Sequence, residues 1–536
     1  MQRRNVLSVG KTAGTALAAF AAGWGYTIAV SALAGEVNHT TPVTTVEFWL
    51  NSAAWLAPFA AASALLLWKR SWRVLQYCGA FFLGTWMWVL WPIAPDLRGR
   101  PCALGILDTL SQIPARLGTR GSFIIVCVAL AIALCALYLW YCRAIRRKYS
   151  RLRTALFLAA TLLLGIPLMW LRGELSGDWL VNRVQSKTEV GFHALAKDFP
   201  NVKEYLALYV SHRDYLVQYI HVWSDMPGKQ ILYYYLVGFG MGPREIVIFT
   251  IIVSSLAAAP LFFVARRFIS AEAAAGAAIL YFFIPTIPLF LPSSNTMTPF
   301  LALTALWLAL LCLEKRMPEI AFFTGAFLAL LFFYEPIPFA LALFLVPWIC
   351  RSVRAKPWKT ILSLEIMAAG FAAVCVAWFV LTGISPLYLA AEAFRLGVRF
   401  NQMFHRDYWP FVFQNFRDFL VGVGSVTALL WAVGAGNAAR EMFRQPRQAL
   451  QKIFAGSSSP SLFVFCFTVF IIILAVAGLS RGEVDRLWMF LMPLAVICAL
   501  WGAERLGARN AVTVMAAWMF FEWLIRSMDA LHHWFF

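Results

Sequence analysis

Charge is scarce in this chain: Asp, Glu, Lys and Arg make up 13% of its 536 residues, against 61% hydrophobic. A water-soluble globule needs roughly twice that charged share, so such a fold is excluded. Cysteine is no richer in consequence. Nearly all ten cysteines lie inside apolar runs, only Cys102 falls in an expected loop, and neither a disulfide framework nor metal-type spacing results. Acidic residues number 26 against 45 basic ones, a formal charge of +19. The basic residues stand in short clusters at the ends of apolar runs rather than along one face, which argues for membrane topology and against a nucleic-acid partner. Internal repeats are missing too.

What is present is a series of long apolar runs, among them 156–170, 246–264, 461–479 and 488–501. Such runs approach or reach the length at which a helix crosses hydrocarbon with its backbone satisfied. About fifteen crossings are expected. The fold class is therefore all-α: a polytopic transmembrane helical bundle with outer-face loops and short interfacial helices. Four crossings, near 12–34, 50–68, 74–94 and 122–141, form an N-terminal bundle over 1–150. A transmembrane core follows over 151–505, and a C-terminal helix over 506–536. The first apolar stretch, preceded by Arg3 and Arg4, reads as a retained crossing rather than a cleaved signal.

Basic clusters at Arg143–Arg153, Arg266/Arg267, Lys315/Arg316, 351–359 and 440–452 follow successive pairs of crossings, so they share one side. By the positive-inside rule that side is cytoplasmic, as is the N-terminus, in a bacterial inner membrane. Arg98, Arg100, Arg116 and Arg120 run against this pattern. The outer side then receives a large polar loop over 172–244 and a second outer segment over 382–418, the latter a surface helix half sunk in the interface. All seven histidines also fall outside, where loops ordinarily collect polar residues. Between 321 and 350 two short helices meet at Tyr334-Glu335-Pro336, where proline breaks the helix and a carboxylate avoids lipid. The turn Ser293-Ser294-Asn295-Thr296 and the hairpin Ser480–Arg486 lie on the same side. Ionisable groups at that membrane face, Glu335 and the Arg481/Glu483/Arg486 cluster above all, are functional suspects.

The stretch His221-Val-Trp-Ser-Asp225-Met-Pro227-Gly228-Lys-Gln-Ile-Leu-Tyr-Tyr-Tyr-Leu precedes Gly242-Pro243-Arg244-Glu245 and a crossing closed by Ala265-Arg266-Arg267-Phe268. In this order the motifs resemble the C-type membrane glycosyltransferases of the protein mannosyltransferase superfamily. Those carry a His-Pro-Pro-Gly element where this chain has Asp225-Met226-Pro227-Gly228, so the imidazole's role is not carried over. His221 matches a further histidine of some bacterial members. Gly482-Glu483-Val484-Asp485-Arg486-Leu487-Trp488, with Pro493, resembles a late motif of actinobacterial-type members. The resemblance covers about 150–505.

It implies transfer of a sugar from a polyprenyl-phosphate donor to a lipid, polysaccharide or protein acceptor at the outer face. Such transfer needs a carboxylate base for the acceptor hydroxyl and cations for the departing phosphate. Family members place the catalytic acid soon after the crossing that opens the core. That makes Asp178 the first candidate base, Glu174 the second and Asp225 the third. Arg481 and Arg486 suit a phosphate clamp, since guanidinium donates in a fork. A salt bridge to Glu483 or Asp485 is their structural alternative. His221, Lys229, Glu335 and Glu483 complete the expected substrate-binding set. No metal cluster is expected, and a divalent cation joining carboxylate to phosphate is compatible with these groups without being called for. A transporter or lipid flippase is the competing reading, because many crossings with charge near the membrane also describe carriers.

Overall fold

The computed structural model describes residues 14–26, 45–90, 102–147, 149–174, 179–187, 190–199, 201–211, 216, 219, 222, 225–403, 406, 408–444, 459–478, 480–508 and 510–528. Every regular element among them is helical. Eight helices are long and apolar enough to cross a membrane: Gly121–Arg147, Arg151–Gly173, Pro243–Ala265, Ala271–Phe290, Ser294–Lys315, Ile337–Ala355, Pro357–Thr382 and Pro460–Ala477. Phe411–Val423 and Ser425–Arg444, bent 114° against each other, make a ninth if taken as one span. Leu56–Lys69, Pro318–Tyr334 and Ala511–Leu524 are shorter apolar helices. The chain is thus an all-α, multi-pass membrane protein. The long spans among the described residues are fewer than the fifteen expected: several apolar runs form short or broken helices, and the expected crossings 12–34 and 74–94 lie partly outside the described residues.

The centre is built on small residues. An ideal Cβ on Gly502 would stand 2.0 Å from the Leu430 carbonyl oxygen, so helices Met492–Arg505 and Ser425–Arg444 touch backbone to backbone. A second contact of this kind joins Pro318–Tyr334 to Pro357–Thr382. There a Cβ on Gly325 would lie 1.8 Å from the Met367 oxygen, and one on Gly370 2.1 Å from the Phe322 oxygen. Close approach through glycine is how helices associate where lipid removes the hydrophobic drive. Around this centre pack helices from the N-terminal part. Cys102–Arg147 lies on Arg151–Glu174 and Ala271–Tyr281, while Thr45–Lys69 lies on Tyr408–Val423 and Ser425–Arg444.

Two expectations are corrected here. Residues 102–120, Cys102 included, are not a loop but the opening of the 46-residue helix Cys102–Arg147, since Leu104, Leu107, Leu110, Ile113 and Leu117 recur at helical spacing. The 172–244 segment is likewise no solvated loop. It carries helices Trp179–Gln185, Phe192–Asp198, Val202–Ser211 and Pro227–Gly238, with Phe192, His193, Tyr205, Tyr209 and Tyr233 buried. Its apolar positions fall three and four apart, which gives each short helix a face to bury.

Candidate functional site

Helix Pro227–Gly238 begins with Pro227 at a position that needs no amide hydrogen. Gly228 follows, and its ideal Cβ would stand 2.3 Å from the Phe333 carbonyl oxygen. Glycine therefore lets this helix start lie directly against the end of helix Pro318–Tyr334. One consequence is that Lys229 meets Glu335, the residue that terminates that helix, although 106 positions separate them. Lys229 also binds the Asp225 carboxylate at 2.9 Å, four residues back along its own chain. The ammonium has no exposed surface, Glu335 almost none, and Asp225 keeps a fifth of its side chain exposed.

Asn295, in the short polar turn, donates to Glu335 at 3.3 Å, and the Tyr334 hydroxyl donates to the Ser294 carbonyl at 2.5 Å. The Tyr209 hydroxyl donates to the Asp225 carbonyl at 2.9 Å. Burial pushes Glu335 above the usual carboxylate range, with Lys229 pulling the other way and Asp225 adding to the rise. Burial also works against the Lys229 ammonium, but its two carboxylates more than offset that and hold it above the ordinary lysine value. One cation thus serves two anions, of which Glu335 is the more deeply buried.

The second part of the site is the segment 480–488. Gly482 and Glu483 both take positive φ, 79° and 55°, a conformation that is unusual for glutamate and tightens the turn. The turn is pinned from helix Tyr408–Val423: Asn415 donates to the Ser480 carbonyl at 2.7 Å and accepts from the Gly482 amide at 3.1 Å. Glu483 is shared by two guanidinium groups, Arg406 at 2.7 Å and Arg486 at 2.5 Å. Arg406 and Arg481 each donate to the other's backbone carbonyl, at 2.6 and 2.9 Å. Asp485 is buried beside them, accepts from the Arg486 amide at 3.0 Å, and has its carboxyl pushed up to about 7, by burial first and then by Asp418 and Glu483.

These two parts adjoin. Helix turn Val484–Leu487 packs on the Ser294–Met297 turn, and the positive charge of Arg486 acts on Glu335. Where they meet, the Ser294 and Thr298 hydroxyls and the Trp488 indole nitrogen are buried with no protein hydrogen-bond partner.

Of the expected site residues, Asp225, Lys229, Glu335, Glu483 and Arg486 are brought into this one region. Arg481 sits at its edge and holds the Gly478 and Arg406 carbonyls. Asp178 and His221 lie outside the described residues; Glu174 closes helix Arg151–Glu174, and its side chain is not described. Arg486 takes the salt bridge weighed against the phosphate clamp. Among the described residues no group of three or more His, Cys, Asp or Glu is placed to hold a metal ion.

Sequence reasoning did not single out Arg406, Asn415 or Asn295 as site residues, though the stretches carrying all three were noted. Nor did it single out Arg172 and Arg183. Both are buried inside. Arg172 donates to the Phe282 carbonyl and lies 4.1 Å over the Trp523 ring, and Arg183 donates to the Leu289 and Leu291 carbonyls at 2.8 and 3.1 Å. Together they hold the 282–291 segment by its carbonyls. His193, expected in a loop, is buried with its Nε2 unpartnered, and burial followed by Lys197 depresses its basicity. Compared with protein-family models, with curated proteins and with solved structures, the chain matches none of them.

Proposed function

We propose that this protein is a membrane glycosyltransferase that moves a sugar from a polyprenyl-phosphate-linked donor to a lipid, polysaccharide or protein acceptor. The site faces the outer side of the cytoplasmic membrane, with interfacial helices flanking it. The observation that carries this reading is the convergence of a partly exposed carboxylate, Asp225, with the cations Lys229, Arg486 and Arg406 at one place. The resemblance at 221–268 and 482–493 supplies the chemistry.

In that chemistry a carboxylate accepts the proton of the acceptor hydroxyl as its oxygen bonds to the anomeric carbon. The bond from that carbon to the donor phosphate breaks, and the phosphate leaves with the electron pair. Asp178 and Glu174 remain the first choices for the base by their place after the core-opening crossing. Asp225 is the best placed among the described carboxylates. Arg486 and Arg406, both paired to Glu483, are the guanidinium groups assigned to the departing phosphate.

The test pairs product formation from a polyprenyl-phosphate sugar with thermal melting, for Asp178→Asn, Glu174→Gln and Asp225→Asn. Loss of the base costs about 100- to 10,000-fold in rate while the melt is kept. If all three variants turn over normally, the base is another residue; if the unaltered protein forms no product either, the enzyme reading is abandoned for a carrier. That second reading draws on the fully buried Lys229–Glu335 pair, since intramembrane ion pairs also serve substrate and proton pathways.

A further inference from the structure

The spanning helix Pro357–Thr382 ends at Gly383, whose left-handed φ of 71° turns the chain. Three residues later helix Pro386–Met403 begins, so it starts at the level where its predecessor leaves the bilayer. The end of the spanning helix is bare, with Leu381 82% exposed, and the bare surface continues onto the next helix at Leu387, also 82%, and Phe394, 62%. At about 100° per residue, Leu387, Ala391, Phe394 and Val398 fall within an arc of roughly 60°. Leu389 and Leu396 occupy the opposite side and are fully buried against the protein. Between the two stripes stand Arg395 and Arg399, the former bound to Glu392 by two contacts of 2.9 and 2.6 Å. A helix with one apolar side against protein, a second apolar side outward and arginines along its border matches the depth profile of a membrane surface.

We propose that helix Pro386–Met403 is a lipid-binding element: its outward stripe enters the acyl region while Arg395 and Arg399 hold the phosphates of phospholipid headgroups. The proposal rests on the multi-pass membrane reading and is independent of the sugar-transfer chemistry. Continuity with the bare end of the spanning helix selects lipid as the occupant over another protein surface. Arg406, the partner of Glu483, stands three residues past the helix end, its amide donating to the Asn401 carbonyl at 2.8 Å. Headgroup contact therefore fixes the height at which that guanidinium is presented, and with it the depth at which an anionic group attached to a lipid is met.

Spin labels placed singly at Leu387, Phe394 and Val398, in a cysteine-free background, test this in phosphatidylcholine–phosphatidylglycerol vesicles. Collisions with oxygen are expected to outweigh collisions with a water-soluble nickel chelate at all three. Predominant nickel collisions would place the stripe in water and overturn the proposal. Exclusion of both reagents would overturn it in favour of a second copy of the chain. In parallel, Arg395→Gln/Arg399→Gln should lose phospholipid retained in native mass spectrometry without a change in melting; unchanged retention removes the headgroup assignment. Repeating the labels in Asp225→Asn keeps the result separate from any failure of catalysis.

Discussion

Lys229 has no water on any side and two carboxylates within reach, so its removal leaves two anions facing each other in a dry place. Breaking such a pair from one side costs about 3–5 kcal/mol, whereas removing cation and buried anion together costs much less. Lys229→Met is accordingly expected to melt far lower than the wild type, and Lys229→Met/Glu335→Gln to regain part of the loss. Simple additivity of the two melting shifts in detergent would show that the two side chains do not couple. Asp485 makes a pH prediction. Its folded carboxyl keeps its proton up to about pH 7, while an unfolded aspartate releases it near 3.8. The folded state therefore binds the extra proton between those values, and stability falls as pH rises through that window, by on the order of a few kcal/mol. Asp485→Asn should flatten the dependence; a melting curve of pH response identical to wild type would assign it to another group. Little of this was readable from residue order. Glu483 and Arg486 are three apart and their pairing is a local matter, but Lys229 and Glu335 meet only because Gly228 lets two helix ends touch.

Helix ends do most of the positioning. At the 114° bend between Phe411–Val423 and Ser425–Arg444, Gly424 takes φ 94°, and the first amide of the second helix donates to Glu522 at 2.9 Å. The Ser425 hydroxyl donates to the same carboxylate. A buried carboxylate from a different helix thus replaces the usual N-cap and complements the helix dipole. Since Asn415 on the arm before the bend pins the 480–482 turn, the bend angle sets where Arg486 stands. Glu522→Ala leaves the Ser425 donors buried and unmet, at about 1–3 kcal/mol, and Glu522→Gln, which keeps one acceptor, loses less. Equal melting temperatures for the two variants would count against the cap. Hydropathy located the spans Arg151–Gly173, Pro243–Ala265 and Pro460–Ala477, but took most of helix Tyr408–Val423 into an outer segment; the Tyr334-Glu335-Pro336 break was legible from proline alone. It misjudged 172–244 because a window suited to spans averages short amphipathic helices into a polar mean, as with Phe192/Leu195 and Tyr205/Tyr209.

Across the whole molecule, orientation decides whether the charged region faces outward. Cysteines introduced at Ser150 and Ser186 should differ in intact cells, only the latter reacting with an impermeant thiol reagent. Equal labelling, or labelling at Ser150 alone, would reverse the outer-face assignment. The glycine contact of Gly325 and Gly370 carries a mechanical consequence. Helices Pro318–Tyr334 and Pro357–Thr382 touch through their backbones at that crossing, so they tilt as one piece. The second of them is hardly covered by protein and takes its tilt from the thickness of the surrounding bilayer. Glu335 closes the first. Thinning or thickening the membrane therefore moves the Glu335–Lys229 contact, and activity should pass through an optimum along a series of lipid chain lengths, an optimum that Gly325→Leu, by forcing the two helices apart, would shift or abolish.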